Sequence, residues 1–372
     1  DSVERVPHKH FVNKPLSEMT PAELANVPQE IRELKRRRHR VVDKVKQAAV
    51  RKVIEERLTV MRRNSRNIKG LAINVSTWAE VDTQTGMCWG DWHVKMRLEA
   101  ALRAMGHTVE VFPELADITI YLWGSPFKEK AAYPFHYNPR SFNVAWFYSH
   151  PDVMTKEEMQ KYDLTFCLSP SYADRIRNWG VPIEILMGCT DMRPPSPERR
   201  ITSHDIVFIG NARGALPYGR EIIRDLDPPP GTKVLVFGHK WITKPNFNHS
   251  WYGGRYFPYE RLPELYAGAK ISLNDHHEDM ARHGFIAVKV FDILASGGFC
   301  ITDKVRGMDE FFDGAVPMFR SPEELNEMVK YYLEHDRERS VLAERGKAIA
   351  SRHTYRDRAE TIIEVARQQM GV

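Results

Sequence analysis

Lys289 and Asp292 stand inside the otherwise apolar segment FIAVKVFDILA, which follows the polar run NDHHEDMARHG, Asn274 to Gly284. A loop of this composition entering an apolar helix near Ile286 places free backbone N–H groups and partial positive charge at the helix start, where phosphates bind. Lys289, about one turn in, can neutralise a phosphate. Asp292, three residues on and near the same face, can accept two hydrogen bonds from vicinal ribose hydroxyls. On an ordinary helix both would be solvated. Their apolar surroundings argue for a buried role.

Two other loops carry similar groups. FIGNARG, 208–214, follows a strand-like run, so Gly210 lets a ligand approach the backbone and Asn211 and Arg213 can donate to phosphate oxygens. FGHKW, 237–241, offers His239 and Lys240 to a phosphate or sugar. A solvated turn is the competing reading of each. Nearer the N-terminus, DTQTGMCWGDWH, 82–93, joins a strand to a helix. Gly86 and Gly90 allow close approach there, with Trp89 beside them. Asp91 is the first candidate for a general base and His93 the second, although Asp91 would also serve as an N-cap. His150 in YSHP lies at another strand end. His276, His277, Glu278 and Asp279 are consecutive and do not converge readily on one ion. Asp225 and Asp227 face a turn before PPPG. No metal is therefore expected, and no cofactor. The helix dipole, Lys289, and Arg213 or Arg282 would neutralise a diphosphate instead.

These loops require strands that alternate with helices. GLAINVS, HTVEVF, DITIYLW, FNVAWFYS, LTFCLS and IEILM read as strands of a first half. DIVFIGN, KVLVFG, KISLND, FCITD and AVPMF read as strands of a second. Both imply mostly parallel sheets flanked by helices, so the fold class is α/β with two Rossmann-like domains facing a cleft. Ser321, Pro322 and Glu324 mark a helix start by N-cap, N1 proline and capping-box acid. The expected divisions are a lead-in and basic amphipathic helix over 1–69, one Rossmann-like domain over 70–190, a proline-rich linker over 191–200, a second domain over 201–353, and a C-terminal helix over 354–372 that packs back on the first.

A chain of 372 residues, 42% hydrophobic and 28% charged, has ample core for two domains. It begins at Asp1 and reads as a trimmed chain or a piece of a longer one. No apolar run approaches the roughly 18 residues of a membrane span. Cys88, Cys167, Cys189 and Cys300 lack paired spacing, which speaks against zinc or a disulfide framework and for a reducing, cytoplasmic setting. Residues 1–70 carry 18 Lys and Arg against 9 Asp and Glu, while the remainder carries 36 against 40. The basic character thus belongs to the arm, which argues against nucleic acid as partner of the body. From Gln29 to about Arg63 an apolar stripe opposes KRRRHR. Such a helix docks on the body or a second copy, or lies on the anionic inner face of a membrane.

The order of several segments resembles bacterial GT-B glycosyltransferases. HHEDMARHGFIAVKVFDILASGGFCITDKVRGMDEFF and the helical SPEELNEMVKYYLEHD onward look like their donor-binding half. CWGDWHVKMRLEAALRAMGHTVEV, WFYSHPDVMTKEEMQKYDLTFCLSPSYADRIRNWGVPIEIL and DIVFIGNARG extend the likeness over about 70–370. Within the broad group 1 superfamily they resemble the spore-coat CgeB-like set. The resemblance implies a nucleotide sugar in the second half and a glycan or lipid-linked glycan acceptor in the first, with surface polysaccharide synthesis as setting. Asp292 matches the ribose-holding acid and Lys289 a basic position near the diphosphate. Arg282, His283, Gly284 and Phe285 fall on the donor loop, and Tyr256, with Arg255 and Phe257, falls where a nucleobase packs. Gly86, Trp89 and His150 fall on the acceptor side. The family's acid is usually Glu, and retaining relatives place a Glu where His283 stands, in a segment one residue shorter. The stereochemical outcome is therefore not implied. The alternative is a non-catalytic nucleotide-sugar or glycan-binding module of a larger polysaccharide-synthesis protein.

Overall fold

The computed structural model describes residues 70–77, 81–82, 87–88, 90–109, 115–124, 138, 141–213 and 217–371. The basic helix expected over Gln29–Arg63 lies outside them, as do Gly86 and Trp89.

The first sheet contains β1 (Ala72–Thr77), β4 (Thr108–Val109), β5 (Ile118–Trp123), β6 (Phe142–Phe147), β7 (Leu164–Cys167) and β8 (Ile183–Ile185), in the spatial order β4-β1-β5-β6-β7-β8. All pairs are parallel. β5 is buried along its whole length, which is why it reads as an unbroken apolar run rather than an alternating one. A short antiparallel pair, β2 (Val81–Asp82) and β3 (Met87–Cys88), leads into α1 (Gly90–Ala104). Two further helices, α2 (Lys156–Met159) and α3 (Pro170–Arg177), are each opened by a hydroxyl cap: Thr155 accepts from the N–H of Glu158 and Ser169 from that of Tyr172.

The second sheet contains β9 (Ile206–Ile209), β10 (Val234–Phe237), β11 (Tyr252–Gly254), β12 (Ile271–Asn274), β13 (Cys300–Asp303) and β14 (Met318–Phe319). Its order is β11-β10-β9-β12-β13-β14, again all parallel. Two parallel sheets of six strands with surrounding helices form the expected two-Rossmann α/β architecture. β11 is an addition to the strands read from the sequence. Its Tyr-Gly-Gly has no apolar run, and pairing with β10 alone makes it a strand.

Around this sheet lie α4 (Glu221–Arg224), α5 (Leu262–Tyr266), α6 (Glu278–His283), α7 (Val288–Ala295), α8 (Met308–Phe311), α9 (Pro322–Glu334), α10 (Asp336–Ala350) and α11 (Tyr355–Met370). The polar stretch read as a loop contains α6, which stops at Gly284, a left-handed C-cap at φ 77°. α7 begins two residues later than Ile286. It is anchored by Phe291, fully buried against Phe311, Phe312 and the backbone at Gly188. Truncating such a ring to Ala costs about 3–5 kcal/mol, so α7 is a fixed platform for the charges it carries. α9 is capped as expected, with Ser321 accepting from Glu324 N–H at 3.2 Å. α11 returns to pack on α1 of the first half. Its residue Arg358 donates to the carbonyls of Met187 and Gly188 at 2.7 and 3.0 Å, fastening the chain where it leaves β8.

Candidate functional site

In the second sheet the chain runs from β9 to β10 on one side and returns to β12 on the other, a topological switch point. Ligands of open α/β sheets bind beyond the carboxyl ends of strands at such a point. A cavity of about 870 Å3 lies there, walled by both halves. Gly124, Tyr148, Gly210, Gly238 and Asp275 all line it, and each is the residue directly after its strand, β5, β6, β9, β10 and β12 in turn.

One wall is cationic. Asp275, nearly buried, accepts from Arg220 Nη1 and faces Arg213 Nη1 at 3.4 Å. Arg220 Nε donates to the carbonyl of Asn211 at 2.7 Å, and Lys289 Nζ donates to the carbonyl of Ile209. A Cβ on Gly210 would lie 3.1 Å from Arg220 Nη2 and 3.2 Å from Lys289 Nζ, so this glycine sits directly beneath two cations. Gly238, at φ 148°, holds the loop from the other side: a Cβ there would come within 2.1 Å of the Gly210 carbonyl oxygen. The Asn211 side chain accepts from His239 N–H at 2.8 Å and ties the two loops together.

Three cations surround a single carboxylate. Burial, then the charges of Arg220 and Arg213, draw Lys289 down from 10.5 to about 7, with Asp275 opposing. Burial and Arg220 lower Arg213 to about 10. Burial pushes Asp275 up, but Arg220, Arg213 and Lys289 outweigh it and hold its carboxyl below the ordinary range. Arg213 has a left-handed backbone at φ 52°, and its buried Nε has no hydrogen-bond partner among the described residues. An unmatched buried donor is costly unless a ligand satisfies it.

Asp292 lines the cavity one turn along α7 from Lys289 and is 6% exposed. Its Oδ1 accepts from Thr190 Oγ1 at 2.6 Å. Burial raises it to about 7, against the pull of that hydrogen bond, Arg97 and Lys289. It is thus poised between carboxylate and acid near neutrality.

The first-half wall has a different character. Asp91, in the first turn of α1, accepts from the Tyr148 hydroxyl at 3.1 Å. His93 is stacked on Tyr259 of the second half, ring centres 3.8 Å apart and 9° from parallel. Burial lowers it to about 4, with Glu260 opposing and Arg97 adding to the fall, so it is a neutral imidazole at physiological pH. His150, left-handed at φ 52°, has its ring 3.9 Å from that of His277 across the cleft.

The cavity therefore gathers Asp91, His93, His150, Gly210, Asn211, Arg213, Lys240, Tyr256, Lys289 and Asp292 from the residues singled out in the sequence. Arg282, His283, Gly284 and Phe285 do not line it. α6 turns Arg282 and His283 onto Asp152 of the first half, with His283 Nε2 2.9 Å from Asp152 Oδ1. Gly284 closes that helix against the Arg306 carbonyl, and Phe285 is fully buried edge-on to Tyr172. His276 is engaged internally: Nδ1 lies 2.7 Å from Asp303 Oδ1, and Nε2 accepts from Ala287 N–H at 3.0 Å. Asp225 is bound by Arg224 through both carboxylate oxygens. Among the described residues no cluster of three or more His, Cys, Asp or Glu has metal-binding geometry, and no helix is long and apolar enough to cross a membrane.

Sequence reasoning does not single out Arg220, Asp275, Thr190, Tyr148 or Tyr259. The one signal available was position: Asp275 and Tyr148 follow the apolar runs ISLN and FNVAWF, where a strand end exposes its next side chain to a cleft.

Comparison with known proteins agrees with this geometry. Residues 213–364 match the family described as glycosyl transferase-like. No curated protein matches the chain in sequence. HepE of Anabaena, solved in complex with UDP-glucose, superposes with a TM-score of 0.57 at 12% identity, over 79% of this chain and 100% of its own. Sucrose-phosphate synthase of Thermosynechococcus elongatus gives 0.54 at 10% identity, over 81% and 99%. A glycosyltransferase of Rickettsia africae gives 0.54 at 10%, over 82% and 99%. The resemblance read in the sequence thus holds at the level of the broad superfamily, without the narrower spore-coat set being named. The chain has the GT-B fold of two facing Rossmann-like halves, and its residues 213–364 match the glycosyl transferase-like family model.

Proposed function

We propose that the protein transfers a sugar from a nucleoside-diphosphate sugar to a hydroxyl of a glycan acceptor. The observation that carries this is the arrangement of Arg213, Arg220 and Lys289 around Asp275, with the buried Arg213 Nε unpartnered among the described residues. Three cations against one carboxylate, at the carboxyl ends of β9 and β12 and the start of α7, suit a diphosphate. Asp292 is the ribose ligand, one turn beyond Lys289. Tyr256, 38% exposed beside the cavity, is the platform for the base. These cations, rather than a metal ion, neutralise the departing diphosphate. HepE, similar in fold, binds UDP-glucose, which supports the same donor class.

Asp91 is the general base on the acceptor side. It takes the hydroxyl proton as the acceptor oxygen bonds to the anomeric carbon, while the bond from that carbon to the diphosphate oxygen breaks and its electron pair leaves with the nucleotide. Neutral His93, held in its stack, shapes the wall. The acceptor is a glycan of surface polysaccharide synthesis, and the reaction takes place in the cytoplasm or at the inner membrane face.

The test is thermal stabilisation by UDP, GDP, dTDP, ADP and CMP, with and without EDTA. A ligand that binds only the native state raises stability by roughly 2.7 kcal/mol at 100 times its Kd. UDP, the nucleotide of the donor that HepE holds, is expected to stabilise the protein, with EDTA making no difference and Asp292→Ala removing the effect. A folded protein that responds to none of them refutes the reading.

A further inference from the structure

We infer that Tyr148 is a positioning residue that sets the orientation and ionisation of Asp91. This rests on the reading of Asp91 as the acceptor-side base.

β5 and β6 are adjacent and in register, with Trp123 opposite Phe147. The residues that follow them, Gly124 and Tyr148, are therefore neighbours at the edge of the cavity, and Tyr148 N–H donates to the Trp123 carbonyl at 3.2 Å. The Asp91 carboxylate rests over Gly124. A Cβ there would lie 1.9 Å from Asp91 Oδ1, 2.3 Å from its carboxyl carbon and 2.5 Å from the Tyr148 ring. Only a residue without a side chain leaves this slot open. The Tyr148 hydroxyl donates to Asp91 Oδ1 at 3.1 Å.

Tyr148 cannot readily act as a base itself. It is 5% exposed, and burial followed by the neighbouring Asp91 charge pushes its hydroxyl far above the ordinary phenol range. It stays protonated and remains a donor. The ring is held edge-on to Trp146 at 5.5 Å, and the Trp146 indole in turn donates to the Leu186 carbonyl at 3.0 Å. Gly124, Tyr148 and Trp146 thus form a rigid seat on the ends of two central strands. Asp91 projects from it on α1, across the cavity from Lys289. A donated hydrogen bond favours the carboxylate over the acid, which keeps Asp91 able to receive the acceptor proton. It also fixes the carboxylate plane, on which proton transfer depends.

The experiment titrates Asp91 by carboxyl-13C NMR in the UDP-bound protein, assigned by loss of its signal in Asp91→Asn. It compares wild type with Tyr148→Phe, which removes one oxygen, and follows hydrolysis of UDP-glucose, GDP-mannose and ADP-glucose alongside. Tyr148→Phe is expected to raise the Asp91 pKa and move the acid limb of the rate profile up with it. Turnover should fall about 10- to 100-fold, the scale of one hydrogen bond to a charged group, with UDP affinity unchanged. Gly124→Ala, which displaces the carboxylate from the opposite side, should lose turnover with UDP binding intact. An Asp91 pKa that does not move in Tyr148→Phe overturns the inference, and so does a fall in rate without a shifted profile. If wild type binds no nucleoside diphosphate, the donor reading fails first and the role of Asp91 falls with it. If UDP binds while Tyr148→Phe and Gly124→Ala behave as wild type, the Tyr148 inference alone falls.

Discussion

Lys289 and Asp292, one turn apart on α7, line the same cavity, the first partly buried and the second almost wholly so, and desolvation draws their ionisations together, the amine down to about 7 and the carboxyl up to about 7. In water these groups titrate more than six units apart. Each shift is a cost to the empty protein. Between pH 4 and 7 the folded state holds the Asp292 proton more tightly than the unfolded chain does, so this contribution to stability falls as pH rises through that range. Between pH 7 and 10.5 the unfolded chain binds the Lys289 proton more tightly, so that contribution recovers as pH rises. The two costs are greatest together near neutrality. Buried α7 carries the penalty through the apolar packing of Phe291, Ile293 and Leu294.

The donor should therefore bind with uptake of protons. With Lys289 near 7, much of the empty protein at pH 8 holds a neutral amine. An arriving diphosphate favours the ammonium, so binding at pH 8 should take up a fraction of a proton approaching one, and affinity should weaken above pH 7. Calorimetry in two buffers of different ionisation enthalpy measures this directly. Lys289→Arg, ionised at all these pH values, should abolish the linkage. Equal proton uptake in that variant would assign the linkage to another group.

Asp292→Asn separates stability from function. It removes the cost of ionising a buried carboxyl while an amide oxygen can still accept from Thr190. The empty protein should gain stability at pH 8, on the order of 1–3 kcal/mol, and gain nothing at pH 4, where the native carboxyl is already protonated. Nucleotide affinity should fall at the same time, because an amide is a weaker acceptor for two ribose hydroxyls. Melting curves at the two pH values, with and without UDP, test both halves.

The cationic wall makes a reciprocal prediction. Asp275→Asn leaves Arg213 and Arg220 without their buried counter-charge, and breaking such a pair costs about 3–5 kcal/mol. A diphosphate supplies the missing negative charge. The variant should melt earlier than wild type when empty, yet be stabilised more than wild type by saturating UDP. Arg220→Met should do the reverse and reduce the UDP-induced shift, since it removes a cation and leaves Asp275 with Arg213 and Lys289. Equal ligand-induced shifts in the two variants would mean that the cluster does not meet the phosphates.

The features legible in the sequence were local ones. Apolar runs such as ITIYLW and IVFI announce buried parallel strands, and two charges inside VKVFDILA announce a helix with business in a cleft. What was not legible depends on residues far apart in the chain. Thr190 opens a proline-rich stretch that reads as a linker, yet its hydroxyl meets Asp292, 102 positions away. Arg220 stands in an unremarkable charged helix start, and its role appears only because Asp275 is brought beside it by the pairing of β9 with β12. Arg282 and His283 went the other way. A polar run beside a Gly-Phe turn reads as ligand contact, but one short helix, α6, swings both onto Asp152.

Gly238 tests whether the loop geometry itself matters to binding. Its φ of 148° is in a region that side-chain-bearing residues rarely enter, and a Cβ would overlap the Gly210 carbonyl oxygen at 2.1 Å. Gly238→Ala must therefore push the loop after β10 away from the loop after β9. That breaks the Asn211 bridge to His239 and shifts the Gly210 backbone from beneath Arg220 and Lys289. The strained backbone alone costs about 1–3 kcal/mol. Gly231→Ala is the control: it too has a positive φ, 86°, but nothing lies within 4 Å of its Cβ, and it stands at the opposite end of β10 from the cavity. Both variants should lose stability, Gly238→Ala more than Gly231→Ala. Only Gly238→Ala should also lose UDP affinity, by tenfold or more. Equal affinity in the two variants would show that stability, and not the seating of Gly210 under its cations, is what the glycine after β10 provides.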